Sequence, residues 1–270
     1  MHTSLVWLGF AILASTQPLR AEQSAASPYD LNILAPVQLA GSDAAAADFQ
    51  TNVLPGMLDT VQAMLPEHQR LSTSALASLF LDPSNLVLSH DASARVYFLG
   101  EGAGYHNTLG ISTTGGGPLS PDAALIFPGA AYTDGFNGGA STLERSVNAL
   151  LTPGDFVDLG NFNAGTALDF FLIANGVGTG TFFSTTQSLN QDGMIHAVSL
   201  SPSGSAYLII GFEATKNGGD RDYNDFLFAM NISRPEVQQS MGLSAPEPSL
   251  ALGALLTGAV FLAGSRRRIR

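Results

Sequence analysis

Between Gly211 and Phe228 the chain reads GFEATKNGGDRDYNDFLF. Glu213, Asp220, Asp222 and Asp225 bring four carboxylates into this stretch, and Asn224 adds an amide oxygen. Like charges held so close repel one another, and a bound cation is the simplest relief. Ca²⁺ takes about six to eight oxygens of this kind. Alternate residues of an extended loop face the same side, so Asp220, Asp222 and Asn224 are expected to converge. Asp225 then faces the other way and braces the backbone unless the loop bends. The expected Ca²⁺ set is Glu213, Asp220, Asp222, Asn224 and Asp225, with Glu101 as a distant ligand. The competing expectation is a charged turn whose Asp and Asn side chains satisfy nearby backbone groups.

Asp220, Asp222 and Asn224 match the first three ligand positions of an EF-hand loop. The match stops there: Asp225 stands where that loop needs Gly, and Asn231 where it needs a bidentate Glu. His106 and His196, with Glu101 or Asp192, are the candidates for a base and its orienting partner; the plainer reading is histidines that fix loops. No G-x-S-x-G, P-loop or H-E-x-x-H motif occurs. Gly115, Gly116 and Gly117 resemble a phosphate cradle in composition only, because they do not open a helix.

The elements that must position the loop are strands. Tyr207 to Ile210 precedes it and Phe226 to Met230 follows, and both read as buried strands. Further short strands are expected at 94–99, 109–112, 124–127, 156–159, 168–174, 181–184 and 195–200, separated by Gly-rich turns. That spacing predicts a mainly β fold, a β-sandwich or jelly-roll-like domain. Upstream, Asp43 is placed to cap a short helix. Leu54, Leu58, Val61 and Leu65 recur at helical spacing until Pro66, and Ser72 to Leu81 suits a second short helix. These helices are expected to cover one end of the domain.

Six basic residues face 22 acidic ones between Glu22 and Glu247, a formal net charge of −16. Such a surface repels nucleic acid phosphates and attracts divalent cations. The absence of cysteine excludes disulfides, zinc–thiolate sites and cysteine nucleophiles.

The two ends read as targeting segments. Leu5 to Ala14 is an apolar run short of a membrane span, so residues 1–21 are expected to be a signal peptide. At the other end, Pro246-Glu247-Pro248 precedes an apolar run from Leu250 to Gly264, and Arg266, Arg267 and Arg268 follow. This tail resembles a PEP-CTERM sorting signal. The resemblance implies a transient C-terminal transmembrane helix and cleavage near Pro246 by an exosortase-type enzyme. It also implies release to the cell surface or matrix. The Arg cluster independently favours a cytoplasmic tail end, with the acidic domain outside the inner membrane.

Residues 95–109 (RVYFLGEGAGYHNTL), 170–176 (FFLIANG), 189–198 (LNQDGMIHAV) and the acidic loop together resemble domain of unknown function family 4114. The resemblance runs roughly from Leu86 to Ile232. It implies an exported or surface protein, often a calcium-dependent adhesive one, without a defined catalytic activity. Ala214 departs from the acidic residue that members commonly carry there. The expected organisation is therefore a signal at 1–21, a linker with helical cover at 22–85, the β domain at 86–232, a linker at 233–245 and the sorting tail at 246–270. The expected function is a non-catalytic surface or matrix protein whose partners are exopolysaccharide or other surface proteins. A matrix-acting polysaccharide hydrolase and a structural coat protein without ligand are the alternatives.

Overall fold

The computed structural model describes residues 28–79, 86–103, 105–130, 151–175, 180–202 and 204–241. The signal segment and the tail, with Pro246, Glu247, Pro248, Arg266, Arg267 and Arg268, lie outside the described residues. Ten strands form two five-stranded sheets among the described residues. They are β1 (Asn32–Ile33), β2 (Ala92–Gly100), β3 (Thr108–Ser112), β4 (Ala124–Phe127) and β5 (Phe156–Phe162), then β6 (Asp169–Ile173), β7 (Phe182–Ser184), β8 (Ala197–Leu200), β9 (Tyr207–Phe212) and β10 (Phe226–Asn231). The first sheet runs β1-β4-β3-β6-β7 and the second β5-β2-β10-β9-β8. Every named strand pair is antiparallel except β1 with β4.

Period-two alternation sorts each strand between two apolar layers. Phe226, Phe228 and Met230 of β10 point inward with Val96 and Phe98 of β2 and Leu208, Ile210 and Phe212 of β9. Across from them lie Leu109, Phe127, Phe170 and Phe183 of the other sheet, so the two sheets share one core. The intervening residues Tyr97, Leu99, Ile209, Leu227 and Ala229 are also buried, on the outer face of the second sheet. A helical cover closes that face: α1 (Ala44–Asp48), a π-helical turn (Phe49–Val53) and α2 (Leu54–Met64), with α3 (Thr73–Leu79) after them. The cover therefore lies on a sheet face rather than on one end of the domain. Phe49 stacks on Tyr97 with ring centroids 3.8 Å apart.

Asp43 accepts from the Ala46 N–H at 2.7 Å and caps α1. Pro55 stands in the first turn of α2 and has no N–H to give, and just before it the Leu54 N–H reaches back to Phe49 O. The buried stripe of α2 is Leu54, Met57, Val61 and Leu65; Leu58, expected in it, is exposed. Residues 233–245, expected as a linker, contain a fourth helix, α4 (Arg234–Ser240). Its Glu236 accepts from Ser89 Oγ at 2.6 Å and from the Ser89 and His90 N–H groups at 3.0 Å each. Among the described residues no helix is long and apolar enough to cross a membrane.

Candidate metal centre

Strands β9 and β10 fix the ends of the acidic loop, since Phe212 pairs with Phe226 across the ladder. The loop between them is wound rather than extended. Gly219, Arg221 and Tyr223 all take positive φ, at 39°, 62° and 59°. Gly219 packs directly against the Glu213 carboxylate, in space that a Cβ would fill. Tyr223 descends into the layer beneath the cover and donates its hydroxyl to Ile195 O at 3.2 Å.

This winding brings Glu213, Asp220 and Asp222 together: each offers a carboxylate oxygen within 4.8 Å of the others. Glu213 and Asp222 are each only 1% exposed, while Asp220 lies at the surface. Glu213 accepts from the Thr215 and Arg221 N–H groups at 3.1 and 3.0 Å. Asp222 accepts from His68 N–H at 2.8 Å and Asn224 N–H at 3.3 Å. Burial, and then the adjoining Asp225, push the Glu213 carboxyl up to about 8. Burial also raises Asp222, against the two backbone donors. Among the described residues no Lys or Arg forms an ion pair with any of the three.

Asp225 does not join this triad. It accepts from the Ala214 N–H at 2.6 Å and stands beside Glu213. Asn224 donates Nδ2 to Leu65 O at 3.3 Å. A Cβ on Gly102 would lie 2.9 Å from Asn224 Oδ1 and 3.1 Å from Glu67 Oε2, so those two oxygens flank one glycine. Glu101 also lies outside the triad. Its Oε1 accepts from Asn107 N–H at 3.0 Å, and its buried Oε2 has no hydrogen-bond partner among the described residues. Burial pushes Glu101 up to about 8 against the Asn107 hydrogen bonds, and Asp225 adds to the rise.

Sequence reasoning missed Glu67 and His68. Both follow α2, where the chain crosses the loop. His68 Nδ1 lies 3.4 Å from both Glu67 Oε1 and Asp220 Oδ2, and Leu71 N–H donates to Arg221 O at 3.0 Å. Glu67, His68 and Asp222 form a second close group of potential ligands. No local pattern marks these two residues; the only sequence signal is the Pro66 stop just before them.

The donor set fits a hard cation. Glu213, Asp220 and Asp222 would hold the ion, with Glu67 close to Asp222, and oxygen donors of this kind suit Ca²⁺ over softer metals. A carboxylate oxygen that accepts one backbone N–H keeps a second lone pair for a metal.

His196 is a brace of the same loop. Its Nδ1 lies 2.9 Å from Glu213 O, its Nε2 lies 3.0 and 3.2 Å from the Asp192 oxygens, and its ring stacks on Phe183 at 3.9 Å. Burial raises the Asp192 carboxyl, but the Asn217 and Met194 N–H groups and His196 outweigh it and hold the group at about 2. Of the glycine run, Gly117 donates its N–H to Asp169 Oδ2 at 3.0 Å, so that amide already faces a carboxylate.

Residues 162–233 match the family model described as Domain of unknown function (DUF4114). The match takes in the chain from the end of β5 through β10, with the acidic loop, Asp192 and His196. It leaves out Glu67, His68 and Glu101, and the first half of the resemblance drawn from Leu86 onward. No curated protein and no solved structure matches the chain.

Proposed function

We propose that this chain is an exported, non-catalytic β-sandwich protein of the cell surface or extracellular matrix that binds Ca²⁺ at its acidic loop. An exosortase-type enzyme processes its tail after passage through the inner membrane, and exopolysaccharide or other surface proteins are its partners. The observation that carries the calcium reading is the convergence of Glu213, Asp220 and Asp222, two of them buried, with no Lys or Arg paired to them among the described residues. The non-catalytic reading draws support from His196, whose two nitrogens and one ring face are engaged by Glu213 O, Asp192 and Phe183.

Thermal melts in calcium, magnesium and chelator test the site. A metal that binds only the folded form adds about 2.7 kcal/mol at a hundredfold excess over Kd. With an extracellular-type Kd of about 10⁻⁴ to 10⁻³ M, millimolar calcium is about one- to tenfold over Kd and adds about 0.4–1.4 kcal/mol, a rise in Tm of about 1–5 °C. Magnesium does less, because it demands tighter octahedral geometry. The Asp220→Asn/Asp222→Asn variant loses the calcium increment. Identical melting of the wild type in all three solutions would leave a charged turn and a coat protein without ligand.

A further inference from the structure

At the other end of the second sheet from the acidic loop is an open cleft of about 520 Å³. That volume lies within the range of small-molecule sites, about 300–1,000 Å³. The ladder shows how the sheet builds it. Asn231 of β10 stands opposite Arg95 of β2, and Arg95 opposite Asp158 of β5, so three polar residues form one cross-strand row. A register shift between Ala94 and Arg95 interrupts the pairing at this point, as β-bulges beside binding sites do. Tyr97 is buried in the floor of the cleft and Ala45 of α1 is exposed along it, while Asp91, Ser93 and Asp158 are exposed around its rim; the side chains of Ala94 and Ile232 belong to the core between the sheets.

The polar groups are held before any ligand arrives. Arg95 donates from Nε and a terminal nitrogen to Asp158 at 2.6 and 2.9 Å and from the other terminal nitrogen to Asp43 at 3.1 Å. Its guanidinium lies 4.0 Å from the Phe156 ring centroid. Asp91 is anchored by the Ala164 N–H at 2.8 Å. Fixed side chains lower the ordering cost of binding.

We propose that this cleft binds a neutral saccharide, one pyranose unit of a free sugar or of a glycan chain. The charge pattern selects against anions: Asp43 and Asp158 already take the donors of the one guanidinium, and Asp91 adds a further negative charge to the lining. The shape selects for an amphipathic ring. A pyranose has an apolar C–H face for the small floor and hydroxyls on its edge for the carboxylate, amide and Ser93 hydroxyl. Hydroxyls donate to the remaining lone pairs of Asp91 and Asp158, which a neutral polyol satisfies and an acidic sugar cannot. The inference rests on the cleft alone and does not depend on calcium, since none of its residues belongs to the acidic loop.

Saturation-transfer NMR on the full chain tests it, with glucose, galactose, mannose and dextran as neutral probes and alginate as an anionic one. The expected result is transfer to neutral probes with Kd on the order of 1 mM. Transfer to the monosaccharides assigns the site to free or terminal sugars, and transfer to dextran alone assigns it to internal units of a chain. Ser93→Trp fills the cleft from an exposed strand position, and it abolishes the signal. Asp158→Ala weakens binding about tenfold through loss of a hydrogen bond to a charged acceptor. Absence of transfer to every neutral probe overturns the proposal. So does full binding by Ser93→Trp, or tighter binding of alginate than dextran at the same cleft.

Discussion

Glu101 and Glu213 contribute a loss of stability toward alkali, and Asp192 one toward acid. Burial, aided by Asp225, lifts both glutamates from 4.5 to about 8 in the folded chain. The folded state therefore holds their protons more tightly than the unfolded state does. Stability is full below the ordinary value and is lost as pH climbs from 4.5 through about 8. Asp192 has the opposite sign. Its folded value of about 2 lies below the ordinary 3.8, so its contribution is present above 3.8 and is lost as pH falls through about 2. Melting in chelator is expected to fall steadily between pH 4.5 and 8. Calcium at the proposed site is expected to reverse that fall, because a cation favours the ionised forms of the triad. Glu101→Gln keeps an acceptor for the Asn107 N–H and removes one buried charge. It is expected to melt higher than wild type at pH 8 in chelator and to flatten the profile. A wild-type Tm that rises over this window would contradict the assignment.

The helical cover and the sheet it seals make one apolar layer, and Phe49 is its central contact. Phe49 is fully buried and stacks on Tyr97, which sits between it and Phe156. Phe49→Ala is expected to cost about 3–5 kcal/mol, read as a lower denaturant midpoint with an unchanged slope. A loss near zero would mean that the cover is not packed on the sheet. Much of this layer was legible in the sequence. The strand at 124–127 has the bounds that its apolar run and flanking turns implied. Other features were not. The expected stripe on α2 included Leu58, but Met57 is the buried neighbour, because the face is chosen by what the sheet offers and not by side-chain type. β1 is two residues long, too short to leave a periodic signal, and is held by its parallel pairing with β4. α4 begins with the Ser233-Arg234-Pro235-Glu236 start signal, which a linker reading passes over. At the site, the acidic residues could be read but their arrangement could not. Positive φ at Arg221 and Tyr223 carries no residue-type signature comparable to that of glycine. Glu67 and His68 reach the loop from about 150 positions away in the chain.

For the whole molecule, charge and chain order bear on the proposed route outward. The span from Glu22 to Glu247 carries −16, and four of the eleven basic residues lie between Arg266 and Arg270. On the proposed route, an Arg cluster behind an apolar run would stay cytoplasmic and hold the tail while the acidic span stands outside. The run from Leu250 to Gly264 is shorter than the roughly 20 residues of a stable span, which suits a temporary anchor. The proposed cleavage near Pro246 would fall after α4 ends at Ser240, so the Glu236 clamp on Ser89 and His90 would survive removal of the tail. The mature protein is therefore expected to keep the two sheets, their cover and the acidic loop, and to lose every residue of the Arg cluster. Intact-mass measurement on the surface fraction of the native host checks this. The expected mass ends near Pro246, and recovery of chains ending at Arg270 would defeat the sorting-signal reading. Replacing Arg266, Arg267 and Arg268 by Glu removes the cytoplasmic bias. That variant is expected to accumulate with the acidic span misoriented or unprocessed, read as protease protection of the domain and retention of the full-length mass.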